Sequence, residues 1–358
     1  MHILSSFIRK RGNVYYGVLR TRDAGGRVAE KARKLDASNQ AEAELALRLL
    51  LRDTEPGNGI TAIEYAIRYH EGRAQRRSIE LSTLRGYLDD IKAWSRYIGN
   101  APMSALDSDM IEDAISRMFD DGNAPTTVDR WYSRLQSACR DAVRRGILEA
   151  NPFENVDRPK KPAWRRNAVV GAERERMRDD ILAMKPCGLK VAASLALFAG
   201  LRNAEACGTQ VVDVDMGERV GWVRRSIGNG THGWYVKNPK NNSVRDYPIS
   251  DYLMLVLDEW GARGPWLIGG SAFAKPDWIT EQWRRFARGN AYVGLEGKHP
   301  TFHDLRHTFA TASVAAGMDV RTLQSILGHA DASITLKIYA SADPSAKKQA
   351  RNLINEYF

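Results

Sequence analysis

The chain has 358 residues, 43% of them hydrophobic and 27% charged, and its 53 Lys and Arg against 43 Asp and Glu give a formal net charge of +10. That length favours two or three domains with real cores, and the composition excludes a disordered chain and a disulfide scaffold, since Cys139, Cys187 and Cys207 are odd in number and lack metal or redox spacing. The excess of cations attracts polyanions, nucleic acid among them, without being specific for it.

From Phe7 to about Leu35 residues alternate as in strands, Asp23-Ala24-Gly25-Gly26 is a hairpin signal, and a short helix is predicted from Ala41 to Leu51. Arg9, Lys10 and Arg11 begin a crowd of cations that suits a sheet facing phosphates and equally a solvated charged edge. Glu55-Pro56-Gly57-Asn58-Gly59 breaks the chain, and helical periodicity follows. Four helices are predicted, roughly Ala62 to Ala74, Leu81 to Ile98, Asp107 to Asp120 and Thr126 to Arg145. Arg130 and Arg134 on the last of them suit a DNA-facing surface, or simply a solvated face. Between Asn151 and Arg166 the apolar period is lost, prolines recur, and Lys160, Lys161, Arg165 and Arg166 make the stretch a basic linker.

From Asn167 onward the pattern is mixed, with a buried helix near Lys190 to Ala199 and strands at Val220 to Arg225, Trp234 to Lys237 and Val244 to Ile249; helices then dominate. The longest apolar run, Val191 to Leu201, is too short to span a bilayer, and no signal pattern opens the chain, so a cytoplasmic location is expected, on the nucleoid when DNA is bound.

Several segments carry chemistry-bearing residues. In His303-Asp304-Leu305-Arg306-His307 the three- and four-residue steps put His303, Arg306 and His307 on one helix face. The two histidines have zinc-helix spacing, but Asp304 stands where that motif needs Glu; the other reading is an anion site, with Arg306 gripping a phosphate and His303 donating or moving a proton. Gly200-Leu201-Arg202-Asn203-Ala204-Glu205 starts a helix with Arg202 one turn from Glu205, an arrangement that also suits a structural ion pair. Lys237 to Ile249 reads as a hairpin with Lys240 at its tip. Leu327-Gly328-His329 ends a helix, and Tyr339 follows; nothing intrinsic to a phenol of ordinary pKa about 10 makes it reactive.

Together and in this order these segments resemble the tyrosine recombinases, the phage and mobile-element integrases. The family pattern of a Gly-Leu-Arg segment with an acidic residue three further on, a hairpin Lys, His-x-x-Arg, a His after Leu-Gly and a Tyr about ten residues later is met by Arg202, Glu205, Lys240, His303, Arg306, His329 and Tyr339. Lys240 is preferred to Lys237 for its distance to Arg245 in that pattern. The strict motifs lie between Gly200 and Tyr339, while the rest of the chain matches the family layout more loosely.

The resemblance implies a mainly α fold with small β-sheets (α+β). Its parts would be a β-rich arm-binding unit at 1–55, a helical, SAM-like core-binding domain at 58–150, the linker at 151–166, and a catalytic domain at 167–358 with a C-terminal docking helix. It implies Tyr339 as nucleophile forming a 3′-phosphotyrosyl bond, Arg202 and Arg306 as phosphate clamp with His329 as a further donor, Lys240 as general acid, His303 as base or donor, and Glu205 as an orienting group. No cofactor, metal or ATP is expected; the partners would be double-stranded DNA at attachment sites, a homo-tetramer, and DNA-bending and directionality proteins, with no membrane. A type IB topoisomerase, a non-catalytic DNA-binding regulator of the same fold and, more remotely, a zinc hydrolase are the alternatives.

Overall fold

The structure, a computed structural model, describes the chain from His2 to Gly328 apart from residues 13, 23–26, 38, 39, 41, 45, 48–59, 163–165, 240–243 and 262. It divides into two compact units, Met1–Pro162 and Ala163–Phe358. Among the described residues it is mainly helical, with small antiparallel sheets, and no helix is long and apolar enough to cross a membrane.

The first unit opens with an antiparallel sheet in the order β1 (His2–Arg11), β2 (Val14–Arg22), β3 (Val28–Lys34). β1 starts well before the expected Phe7, because Ile3 still pairs with Thr21 and a register shift between Ile3 and Ser5 breaks the alternation that marks a strand in sequence. The Asp23–Gly26 hairpin signal lies outside the described residues, but Arg22 and Val28 on either side of it are cross-strand partners. The helix expected at 41–51 is only partly among the described residues; within it Ala43 and Leu47 join Tyr15, Leu19 and Leu35 in a small core.

Helices α1 (Ala62–Gln75), α2 (Leu81–Ile98), α3 (Ser108–Asp120) and α4 (Pro125–Arg144) follow, close to the four predicted. Each begins where the local chemistry favours it: Thr61 and Glu64 form a capping box on α1, Asp107 caps the Met110 amide of α3, and Pro125 stands at the first turn of α4. Ile91, Trp94 and Ile98 form the inward stripe of α2 and meet Ile111, Met118 and Leu135. Each such fully buried side chain contributes about 1.5–3 kcal/mol. The linker expected from Asn151 is corrected over its first part: Phe153 and Val156 are buried in this same core, and the Tyr132 hydroxyl donates to both of their carbonyls at 3.3 Å. Two apolar side chains, too few to make a period, nevertheless suffice to pin a short irregular segment.

The second unit is built around α6 (Gly188–Ala199), whose Val191, Ala192, Ala193, Leu195, Ala196 and Ala199 are all buried, as a helix apolar on every side requires. Preceding it is α5 (Gly171–Ala183), and α7 (Asn203–Ala206) follows the Gly200 turn. Two small sheets come next: β4 (Val214–Asp215), β5 (Val220–Val223) and β8 (Arg245–Pro248) in the order β4-β5-β8, and β6 (Ser226–Gly230) paired with β7 (Gly233–Lys237). The expected hairpin from Lys237 to Ile249 is therefore corrected: β7 pairs with β6 and β8 with β5, not with each other, and Lys240 lies outside the described residues. A glycine opposite a tyrosine fixes each register. A Cβ on Gly221 would stand 2.2 Å from the Tyr247 ring, and one on Gly228 2.8 Å from that of Tyr235. Helices α8 (Asp251–Trp260), α9 (Pro276–Gly289), α10 (Phe302–Ala315) and α11 (Val320–Leu327) complete the described part.

Candidate active site

α6 ends at Gly200, which takes the left-handed conformation (φ +68) that lets the chain turn at once toward Arg202. A side chain there would meet Phe309 and Leu327 at under 3 Å, so α6, α10 and α11 pack directly on this turn. Arg202 flanks α7, and Glu205 one turn on is 2% exposed. Glu205 accepts from the Arg202 amide at 2.9 Å and the Arg202 Nη1 at 2.7 Å.

α10 presents His303 and Arg306. It starts on a reciprocal cap in which Asp304 accepts from the Thr301 amide at 2.8 Å and from its hydroxyl at 2.7 Å. The carboxylate that a zinc motif would need beside His303 is thus engaged in the cap, and among the described residues no three His, Cys, Asp or Glu gather closely enough to hold a metal. Arg306, 2% exposed, donates to the Gly200 carbonyl and to the Leu327 carbonyl, both at 2.6 Å. One guanidinium thereby ties the turn after α6 to the end of α11.

A further arginine, which sequence reasoning used only as a landmark, joins them. Arg245 on β8 is 7% exposed; its Nη2 donates to Glu205 Oε2 at 2.6 Å, Nη1 to Oε1 at 3.2 Å, and Nε to the Ile326 carbonyl at 2.7 Å. Arg306 Nη1 stands 4.0 Å from the same carboxylate. Three guanidiniums therefore share one carboxylate, which leaves two positive charges in excess within the cluster.

The electrostatics follow from that imbalance. Burial raises the Glu205 carboxyl, but the Arg245 hydrogen bonds and the charges of Arg245, Arg202 and Arg306 outweigh it and hold the group at about 2. Burial and repulsion from Arg202 and Arg245 bring Arg306 down to about 9, so it stays cationic near neutrality at a cost an anion would relieve. His303 lies on the open side of α10, where crowding by protein atoms and then the charges of Arg306 and Arg202 lower its pKa below the ordinary value. Its ring meets His307 edge-on at 4.6 Å between centroids.

Of the expected catalytic residues the structure thus gathers Arg202, Glu205 and Arg306, with His303 on the same helix as Arg306; Lys240, His329 and Tyr339 lie outside the described residues. The expected DNA-contacting cations are more engaged than their sequence context suggests. Arg9 pairs with Glu30 at 3.3 Å, Lys10 stands over Tyr15, and Arg11 is exposed. Buried Asp90 accepts from Arg130 at 2.8 Å and lies 3.7 Å from Arg134, whose guanidinium stacks on Tyr87; buried Asp129 holds Arg158 and Lys161. Lys160 is exposed, Arg166 is half-buried and its pKa is lowered by that burial, and Arg165 lies outside the described residues.

Residues 174–346 match the Phage integrase family. Tyrosine recombinase XerC of Staphylococcus carnosus is 28% identical over 286 residues, covering 75% of this chain and 93% of the relative. Tyrosine recombinase XerD of Lacticaseibacillus casei is 26% identical, covering 72% and 87%. Among solved structures, the Tn1549 transposon integrase in complex with a circular intermediate DNA superposes with a TM-score of 0.67 at 22% identity, over 82% of this chain and 99% of that one. A lambda integrase tetramer bound to a Holliday junction superposes with a TM-score of 0.62 at 20% identity, over 94% and 97%. The ordered motifs, the fold and these relatives agree: residues 174–346 form a domain of the Phage integrase family, and the chain is similar to the tyrosine recombinases, enzymes of site-specific DNA recombination.

Proposed function

We propose that the chain recombines the DNA of a phage or other mobile element through a 3′-phosphotyrosyl intermediate on Tyr339. The observation that carries this reading is the buried cluster of Arg202, Arg245 and Arg306 around Glu205, whose excess positive charge suits a single phosphodiester. In the reaction the Tyr339 oxygen attacks phosphorus, the P–O5′ bond breaks, and the 5′-oxygen leaves as a hydroxyl. His303 takes or shares the tyrosine proton, and Lys240 supplies the proton to the leaving oxygen. Arg202 and Arg306 neutralise the nonbridging oxygens, with His329 as a further donor, while Glu205 orients Arg202. The new ester keeps the energy of the old one, so a second 5′-hydroxyl can reverse the step without ATP, and the charge clamp needs no metal.

The domain assignments belong to the same proposal: 1–55 as an arm-binding unit, 58–150 with the packed segment through Val156 as the core-binding domain, the remainder of 151–166 as a basic connection, and 167–358 as the catalytic domain with a docking helix at its end. Arg9, Tyr16 and Lys34 form one cross-strand row of the N-terminal sheet and supply a mixed cationic and aromatic face for an arm site. Strand exchange between two duplexes requires four such sites, hence a tetramer on DNA with DNA-bending and directionality proteins as further partners.

A library of nicked duplexes with randomised sequence beside the nick, incubated with the full chain and selected for covalent protein–DNA adducts, tests this reading. One enriched core sequence, joined to protein through its 3′-phosphate, is expected. Adducts without sequence preference would favour a topoisomerase-like activity, and their absence a non-catalytic binder.

A further inference from the structure

We propose that Arg245 is a positioning residue of strand cleavage, holding Arg202 and the chain that leads into His329 in one rigid arrangement. The inference rests on the catalytic reading above and adds to it a residue that touches none of the reacting atoms.

Arg245 reaches both halves of the cluster. Its two terminal nitrogens take opposite oxygens of Glu205, at 2.6 and 3.2 Å, and those same oxygens accept from the Arg202 amide and the Arg202 guanidinium. The carboxylate is thus oriented from one side by Arg245 and presents its remaining acceptor capacity to Arg202. Arg202, with 29% of its side chain exposed, is the open member of the set, and its direction depends on how firmly Glu205 is held. Arg245 and Glu205, at 5% and 2% side-chain exposure, leave little room for water to compete.

The third donor reaches α11. The last carbonyls of a helix lack intrahelical partners, and here two successive ones are taken by arginines: Ile326 by Arg245 Nε at 2.7 Å and Leu327 by Arg306 Nη2 at 2.6 Å. The next residue, Gly328, closes the helix in the left-handed conformation, φ +62, and a Cβ on it would stand 2.9 Å from Cδ and 3.0 Å from Nε of Arg245. The Arg245 stem therefore packs on the backbone immediately before His329. Lysine has a single ammonium in place of this fork and cannot serve Glu205 and Ile326 together.

A positioning role differs from a merely structural one in what it spares. If Arg245 acts through the groups that neutralise the nonbridging oxygens, its loss matters when those oxygens are charged and much less when they are not. The test uses the full chain on a nicked duplex of the core sequence recovered above, with either the natural phosphodiester or a charge-neutral methylphosphonate at the scissile position. Arg245→Ala, Arg245→Lys and Arg202→Ala are compared with the parent protein, rates being expressed per DNA-binding-competent molecule. Arg245→Ala is expected to slow capture of the phosphodiester about 100-fold, the order of effect of a misplaced reacting geometry, and to slow capture of the methylphosphonate far less. Arg245→Lys keeps the charge, serves if the alanine variant does not fold, and is expected to show a smaller loss with the same selectivity. Equal slowing of both substrates, or parent rates on the phosphodiester, overturns the proposal. Arg202→Ala separates the two levels: undiminished capture by that variant overturns the catalytic reading itself, whereas slow Arg202→Ala beside fast Arg245→Ala removes only the role of Arg245.

Discussion

Replacing Glu205 by Gln removes one charge and almost no volume from the centre of the cluster. The carboxyl lies at about 2 against an ordinary 4.5, and at about 1.4 kcal/mol per pKa unit that difference corresponds to about 3.4 kcal/mol of stabilisation of the charged form. Breaking a buried ion pair by removing one partner independently suggests about 3–5 kcal/mol, because Arg245 and Arg306 stay buried without their counter-charge. For a unit the size of Ala163–Phe358 each kcal/mol moves the melting point by about 2–4 °C, so Glu205→Gln is expected to lower it by about 7–14 °C. Calorimetry of the full chain at neutral pH measures this. The sign of the pH dependence gives a second check. A carboxyl depressed in the folded state stabilises above its ordinary pKa of 4.5 and loses that contribution as pH falls toward about 2. Over that window the parent protein is expected to lose stability more steeply than the variant. A drop in melting point equivalent to less than about 1 kcal/mol, within the range of an exposed ion pair, would refute the picture of a buried carboxylate shared by three arginines.

Gly200→Ala places a Cβ 2.7 Å from the Phe309 ring at φ +68, so a loss of about 2–5 kcal/mol is expected from left-handed strain plus overpacking, read in the same calorimetric transition; an unchanged transition would contradict the turn geometry. Asp304→Ala removes the reciprocal cap of α10 and is expected to cost about 0.5–2 kcal/mol in chemical denaturation while covalent capture persists; loss of capture without loss of stability would give Asp304 a role beyond the cap. His303 has a lowered pKa and so stays neutral below 6.5, which places the acidic limb of single-turnover capture below that pH if His303 accepts the Tyr339 proton; a limb at or above 6.5 that survives His303→Gln would assign the base elsewhere.

Helices were the legible part of this fold, because their signals are local. The α2 bounds, Leu81–Ile98, coincide with its apolar period, and the helix starts expected at Ala62, Asp107 and Thr126 fall within a residue of those found. Strand pairing is non-local and was legible only in part. β6, Ser226–Gly230, has two glycines and no β-branched run, so its partnership with β7 left no trace, and β7 was assigned to β8 in its place. Arg202, Glu205 and Arg306 were readable because they sit in short ordered motifs. Arg245 was not, since an arginine on a short strand ordinarily faces solvent, and only the meeting of β8, α7 and the end of α11 gives it a buried carboxylate and a carbonyl. The arginines of α4 have a partner that their own helix does not reveal. Arg130 and Arg134 look like an open cationic face, yet Asp90 across the helix pair draws on both.

The central claim is that Tyr339 becomes covalently joined to DNA, and mass spectrometry of the adduct tests it most directly. Protein captured on a nicked duplex, digested with protease and nuclease, is predicted to yield one peptide spanning Tyr339 with a nucleotide 3′-phosphate on the phenolic oxygen, and Tyr339→Phe is predicted to bind the same duplex and yield none. A nucleotide on any other residue, or an adduct that survives in Tyr339→Phe, would contradict the account.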